Sequence, residues 1–193
     1  MPGNSVTCTV FGKDEVMKER IENALNEQLN WELFSSYLYL SMAAHFHSKG
    51  LSGFAKWMRV QALEELTHAA KFFDFILERG GAVHLDRIEK PPSHWESPLM
   101  VFQEALGHEE KVTERINRLV ELAREEKDHA TEIFLQWFVT EQVEEEASAL
   151  DVIQKLKLVG DHPGGLFSLN QELGQRTFVM PTEAKGKSQG GEP

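Results

Sequence analysis

Apolar residues recur along most of the chain at alternating steps of three and four, the spacing of a helix that buries one face. From Asp14 to before Gly50 that stripe reads Leu25, Leu29, Glu32, Ser36, Tyr39, Ala43, Phe46. From Ser52 to the "RGG" stop it reads Phe54, Met58, Gln61, Glu65, His68, Phe72, Phe75. A third run, opening at Ser97-Pro98 and ending near Glu126, gives Phe102, Ala105, Glu109, Val112, Ile116, Leu119, Ala123. A fourth, from Asp128 to Gly160, gives Phe134, Phe138, Glu141, Glu145, Ser148, Val152. The boundaries carry their own chemistry. Ser52, Ser97 and Asp128 are placed to cap helix N-termini, Pro98 suits a first helical position, and Gly80 suits a left-handed C-terminal one. Runs this long favour a bundle.

The connections predict the topology. Runs one and two, like three and four, are joined by a few residues, so each pair is antiparallel. Between two and three lies "GGAVHLDRIEKPPSHWES", long enough to travel the length of the bundle. After Gly160, "HPGGLFSLNQELGQR" offers a short fifth helix starting at Ser168, with Gln171 placed to close a capping box. The expected organisation is an N-terminal extension at 1–12, one all-α four-helix bundle with a long crossover and a short fifth helix at 13–176, and a disordered tail at 177–193.

Composition narrows the function. A net charge of -11 argues against a nucleic-acid or anionic-membrane partner and suits a protein that attracts cations. Many acidic helical proteins do nothing of the kind, so charge alone decides little. No apolar run approaches the roughly 20 residues of a membrane helix, and the N-terminus lacks the pattern of a secretory signal. Cys8 is the single cysteine, which excludes an internal disulfide framework and a multi-cysteine metal site and points to a reducing cytoplasm.

Every stripe is interrupted by at least one glutamate, joined in the second by His68. Glu32 and Glu65 fall near their helix midpoints and Glu109, Glu141 and Glu145 within about one turn of theirs, so all share one layer about 5 Å either side of the bundle centre. Taken singly, these are ordinary features. A Glu65/His68 pair is usually a solvated helix face, and "EQVEEE" at 141–146 is usually a solvated charge run. Taken together they cannot be. Four glutamates in one apolar layer repel one another and lose their hydration, unless cations hold them. Glu32, Glu65, Glu109 and Glu145 carry four negative charges, which two divalent cations would cancel, and one imidazole among oxygen ligands suits iron or manganese rather than structural zinc.

At these residues the chain resembles the prokaryotic non-haem ferritins, from about Lys13 to Arg176, through "NEQLNWELFSSYLY", "QALEELTH", "GHEEKV" and "FLQWFVTEQVEEE" in that order. The resemblance implies a ferritin-like fold and ferroxidation: two Fe(II) ions are oxidised by dioxygen or hydrogen peroxide, and Fe(III) passes to a mineral inside a hollow shell of twenty-four subunits. It makes Glu32 and His68 ligands of one iron, Glu65 the bridge, and Glu109 and Glu145 the remaining ligands of the second. It sets Gln142 beside the second iron and Tyr39 beside the pair, and implies a third, transient iron at Glu64, Glu141 and Glu144. Trp137 matches a neighbouring aromatic, though plain core packing explains it as well. "EEKDHATE" resembles the channel segment at the three-fold axis, so Asp128, His129 and Glu132 either line a pore or form a solvated turn.

Departures separate the chain from relatives of that family. Haem-bearing bacterioferritins have a methionine after the bridging glutamate, where this chain has Leu66, so haem is not expected. Gln142 and Glu145 stand where those proteins carry a second Glu-x-x-His pair, and rubrerythrins need further cysteines. The alternative to iron storage is a structural or partner-binding bundle with a vestigial acidic layer.

Overall fold

The computed structural model describes residues 17–160 and 162–179. The predicted N-terminal extension and most of the predicted tail lie outside them. Four long helices and one short one follow in order: α1 Glu19–Ser48, α2 Ser52–Glu78, α3 Pro98–Glu125, α4 His129–Val159 and α5 Pro163–Leu173. None among the described residues is long and apolar enough to cross a membrane.

The core is two apolar halves with a polar layer between them. One half holds Met42, Phe46, Phe54, Met58, Phe102 and Val152; the other holds Leu25, Leu29, Phe72, Val112, Ile116 and Phe138. Chain direction follows from which half each helix meets first. α1 and α4 run from the second half into the first, whereas α2 and α3 run from the first into the second. The bundle is therefore up-down-down-up, and the chain must return the length of the bundle between α2 and α3. Asn26 and Asn30, one turn apart on α1, hold that return segment by using their side-chain amides as a strand uses its peptide groups. Asn26 donates to Ala82 O at 2.9 Å and accepts from His84 N at 2.7 Å; Asn30 donates to His84 O at 2.9 Å and accepts from Asp86 N at 2.8 Å. At its far end Trp95 is buried and donates to Glu104 at 2.6 Å.

Most predicted boundaries hold. Ser97 accepts from Met100 N with Pro98 behind it, Asp128 accepts from Thr131 N at 3.1 Å, and Gly80 takes a left-handed φ of 71°. Three expectations fail: α1 begins at Glu19 rather than just after Asp14, and two others fail for one linked reason. Ser52 does not cap α2; the cap position is Leu51 and no local side chain accepts there. Instead Asn170 of α5 accepts from Gly53 N at 2.8 Å and Phe54 N at 3.3 Å. α5 in turn begins at Pro163, five residues before Ser168, with the His162 ring accepting from Gly165 N at 3.2 Å. Pro163 at the first helical position lacks only an N–H that would have no intrahelical partner, so the "HPGG" that reads as a break is the first turn. Ser168 lies inside the helix and donates to Gly164 O at 3.1 Å.

Packing α5 over the start of α2 requires Gly53. A Cβ there would lie 1.6 Å from the Asn170 carbonyl oxygen. Gly53→Ala is therefore expected to lower stability by about 1–3 kcal/mol and to speed amide exchange in α5 selectively. Denaturant unfolding and hydrogen exchange check this; parental exchange in α5 would show that the close approach costs nothing.

Candidate metal centre

Helix geometry carries the acidic groups inward. Glu32, Glu65, His68, Glu109, Gln142 and Glu145 are all buried, in the layer between the two apolar halves. The buried face of α4 is rotated from the predicted one: it runs through Leu135, Phe138, Gln142, Glu145, Ala149 and Val152, so Gln142 faces the core and Glu141 stands half-buried at its flank. A helix repeats every 3.6 residues, and a strict step pattern begun at Phe134 drifts away from that face.

Single ligand atoms of Glu32, Glu65 and His68 lie within 4.8 Å of one another, as do those of His68, Glu141 and Glu145. His68 Nδ1 is 3.3 Å from Glu65 Oε2. Glu109 accepts from the Tyr39 hydroxyl and from Gln142 Nε2 at 3.3 Å, and the same amide donates to the Glu109 carbonyl at 3.2 Å. Two oxygens, Glu32 Oε2 and Glu65 Oε1, are buried with no hydrogen-bond partner among the described residues. An unpartnered buried carboxylate oxygen is costly, and a cation held by Glu32, Glu65 and His68 would relieve that cost.

The charges agree with that reading. Burial, and then the neighbouring Glu65, pushes Glu32 up to about 8, against the opposing effects of His68 and a hydrogen bond from Gln28. Burial and then Glu145 push Glu109 up to about 8. Glu65 is raised by burial, then by Glu109 and Glu145. Tyr39, raised by burial and then by Glu109, keeps its proton and remains a donor.

Around this centre the remaining predicted residues divide. Glu64 is half-buried, raised to about 7 chiefly by burial, and bound by Arg176 Nη2 at 2.5 Å. Glu141 is raised by burial, while Glu144 is exposed but close enough for its charge to act on Glu141. Trp137 packs edge-on to the His68 ring, centroids 5.3 Å apart, with Lys71 Nζ 4.5 Å from its own centroid. Asp128 accepts from both Nη atoms of Arg79, at 3.0 and 3.2 Å, besides capping α4. Glu132 accepts from Arg124 at 2.7 Å, and His129 is well exposed. Leu66 is exposed as well.

Four residues around the centre escaped the sequence reading: Gln28, Arg115, Arg176 and, edge-on to Tyr39, His108. Gln28 stands one turn before Glu32, as Gln61 stands one turn before Glu65, and that repeated spacing was a usable signal. The two arginines approach from other elements, so no local spacing reveals them. His108 is buried, hydrogen-bonded to Ser35 Oγ at 2.7 Å, stacked on Trp31, and held down to about 4 by burial and Lys111.

Comparison with known proteins identifies the fold and the family. The family model of the ferritin-like domain matches residues 22–159. The bacterial non-haem ferritin of Bacteroides fragilis (strain 638R) is 45% identical over 161 residues, covering 83% of this chain and 100% of that protein. That of Staphylococcus aureus (strain MRSA252) is 38% identical over 163 residues, covering 84% and 98%. Among solved structures, the open-pore ferritin of the hyperthermophilic archaeon Archaeoglobus fulgidus superposes with a TM-score of 0.83 at 56% identity, covering 83% of this chain and 98% of that one.

The raised carboxylates set a pH dependence. Between about 4.5 and about 8 the folded, metal-free protein holds protons on Glu32 and Glu109 that the unfolded chain has released. Their contribution to stability is present below about 4.5 and is lost as pH rises through about 8. The unfolding midpoint of metal-free protein is therefore expected to fall from about pH 6 to about pH 9. Calorimetry on stripped protein tests it; a midpoint that rises over this interval would contradict the assignment.

Proposed function

We infer the function from a premise the comparisons establish: this chain belongs to the ferritin family. It is a non-haem ferritin, an iron-storage protein of a ferroxidase family. In our reading its substrate is a pair of Fe(II) ions held in the acid layer, with Glu32 and His68 on one, Glu109 and Glu145 on the other, and Glu65 bridging. The observation that carries the reading is the pair of unpartnered buried oxygens on Glu32 and Glu65, beside His68.

The protein's part in the chemistry is to bind, orient and exchange protons. Glu32, Glu65 and Glu109 give up protons as the cations arrive, so bound metal takes over the balancing of their charge. Oxygen ligands serve both oxidation states of iron and can change between terminal and bridging modes. Each Fe(II) gives up one electron. Two electrons and two protons convert dioxygen to hydrogen peroxide, or hydrogen peroxide to two waters. Tyr39 and Gln142 hold Glu109 by hydrogen bonds, which fixes one ligand before the metal arrives. We assign Glu64, Glu141 and Glu144 to a transient third position on the route inward.

The finer features of the assembly are part of the same proposal. We propose a closed shell of twenty-four subunits working in the cytoplasm, without haem, since Leu66 offers no sulfur. His129 and Glu132 are assigned to a channel for incoming iron, Glu132 keeping one oxygen beyond its bond from Arg124, with Asp128 as a structural cap because Arg79 occupies both of its oxygens.

Glu65→Ala tests the assignment. Loss of the bridge should weaken both iron positions and sharply slow oxidation of two Fe(II) per subunit in stopped flow. Glu32→Ala and Glu109→Ala should each harm chiefly one position. The metal-free Glu65→Ala protein should stay within about 2 kcal/mol of the parent, because relief of repulsion offsets a small cavity. Intact Glu65→Ala assemblies that oxidise iron at the parental rate would sink the di-iron assignment. A stable monomer in light scattering at micromolar concentration would sink the shell.

A further inference from the structure

Two buried glutamines flank the acid layer in matching arrangements. On one side Gln28 Nε2 donates to Glu32 Oε1 at 2.8 Å, while Gln28 Oε1 accepts from Arg115 Nε at 2.9 Å. On the other, Gln61 Nε2 donates to Glu145 Oε2, while Gln61 Oε1 accepts from Arg176 Nη1 at 2.7 Å. Both guanidinium groups lie over an indole: Arg115 is 4.6 Å from the Trp31 centroid and Arg176 is 4.3 Å from that of Trp57. The two arrangements are built from unrelated parts of the chain. Arg115 comes from α3, Arg176 from the irregular segment after α5.

The chemistry of an amide explains what an arginine does there. A glutamine side chain has a donor end and an acceptor end of nearly equal shape, so packing alone does not choose between its two flips. Turned the wrong way, it would direct its oxygen at a carboxylate and add repulsion to a layer already crowded with charge. A guanidinium has only donors and keeps its proton at any working pH, so it accepts one flip alone: oxygen toward the arginine, NH2 toward the glutamate. The indole fixes the plane of the guanidinium by cation–π contact. Each glutamate thus keeps one oxygen hydrogen-bonded and its orientation set, with the other oxygen left for metal.

We propose that Arg115 and Arg176 are positioning residues, each acting through its glutamine, Arg115 on Glu32 and Arg176 on Glu145. This rests on the di-iron reading above. It adds that the two metal positions are preset by separate relays and respond to separate mutations. A partner that orients a metal ligand from behind is worth about 10- to 100-fold in metal affinity, which sets the size of the effect. Arg176 also holds Glu64 at 2.5 Å, so its own substitution alters two carboxylates, and only a cycle with Gln61 isolates the relay.

The experiment is calorimetric titration of the metal-stripped full assembly with Zn(II), a redox-silent probe, alongside thermal unfolding of the metal-free proteins. Arg115→Met should weaken one of the two zinc positions at the paired carboxylates of each subunit about 10-fold or more and leave the other unchanged. Gln28→Met should do the same, and the double variant should bind no more weakly than Gln28→Met alone. Arg115→Lys, which still donates, should recover part of the loss. The Arg176→Met and Gln61→Met pair should show the same non-additivity at the other zinc position. Either pair decides the matter if the other fails to assemble. Independent, multiplying losses within a cycle would overturn the proposal. So would an arginine variant with a lowered unfolding midpoint but parental zinc affinity, which is the mark of a purely structural role. A parent that binds no Zn(II) at the paired carboxylates would overturn the di-iron reading itself, and the relays with it.

Discussion

Carboxylates brought together in a dry layer repel one another, and the rest of this molecule is arranged around that conflict. Burial and mutual repulsion push Glu32, Glu65 and Glu109 well above the ordinary carboxylate range. Donors oppose the shift, Gln28 on Glu32 and both Tyr39 and Gln142 on Glu109, while Gln61 donates to Glu145. The donors are too few to satisfy every oxygen, and the shortfall is where a cation fits. The layer contributes little to folding in the absence of metal. Stability comes from the apolar halves above and below it, each of which packs side chains from all four long helices. That division lets a destabilised centre persist inside a stable bundle.

The topology serves the same end. The four helix midpoints meet in one plane, and the up-down-down-up arrangement adds a long return segment between α2 and α3. Asn26 and Asn30 give the first part of that segment peptide-like partners along α1, pairing the backbone groups of Ala82, His84 and Asp86 where no regular secondary structure does.

Much of this was legible in the chain itself, because its signals were local and repeated. Helix punctuation at Ser97, Pro98, Asp128 and Gly80 located three boundaries, and the interruption of each stripe by acids located the layer. The phase of α4 was harder. "EQVEEE" offers acids at several adjacent positions, and Gln142 is a quieter signal than Glu141 although it faces the core. The start of α5 was hidden because Pro163, Gly164 and Gly165 have poor intrinsic propensity, which packing against α2 overrides. Ser52 failed as a cap for the same reason: its competitor, Asn170, is more than a hundred residues away. The relay arginines are equally remote, joined to the site by folding and by nothing a local window contains.

The cap that Asn170 supplies to α2 reaches into the life of the nascent chain. Synthesis runs from N- to C-terminus, so α2 emerges long before the residue that satisfies its first amides. Until residue 170 has left the ribosome, the N–H groups of Gly53 and Phe54 lack that acceptor, and the Gln61 carbonyl lacks Arg176. A chain truncated within α5 would retain all four long helices and every carboxylate of the layer, yet carry a frayed second helix and an unlocked amide beside Glu145. The segment that finishes the second helix is thus made long after that helix, and the acid layer is fully set only once Asn170 and Arg176 have emerged.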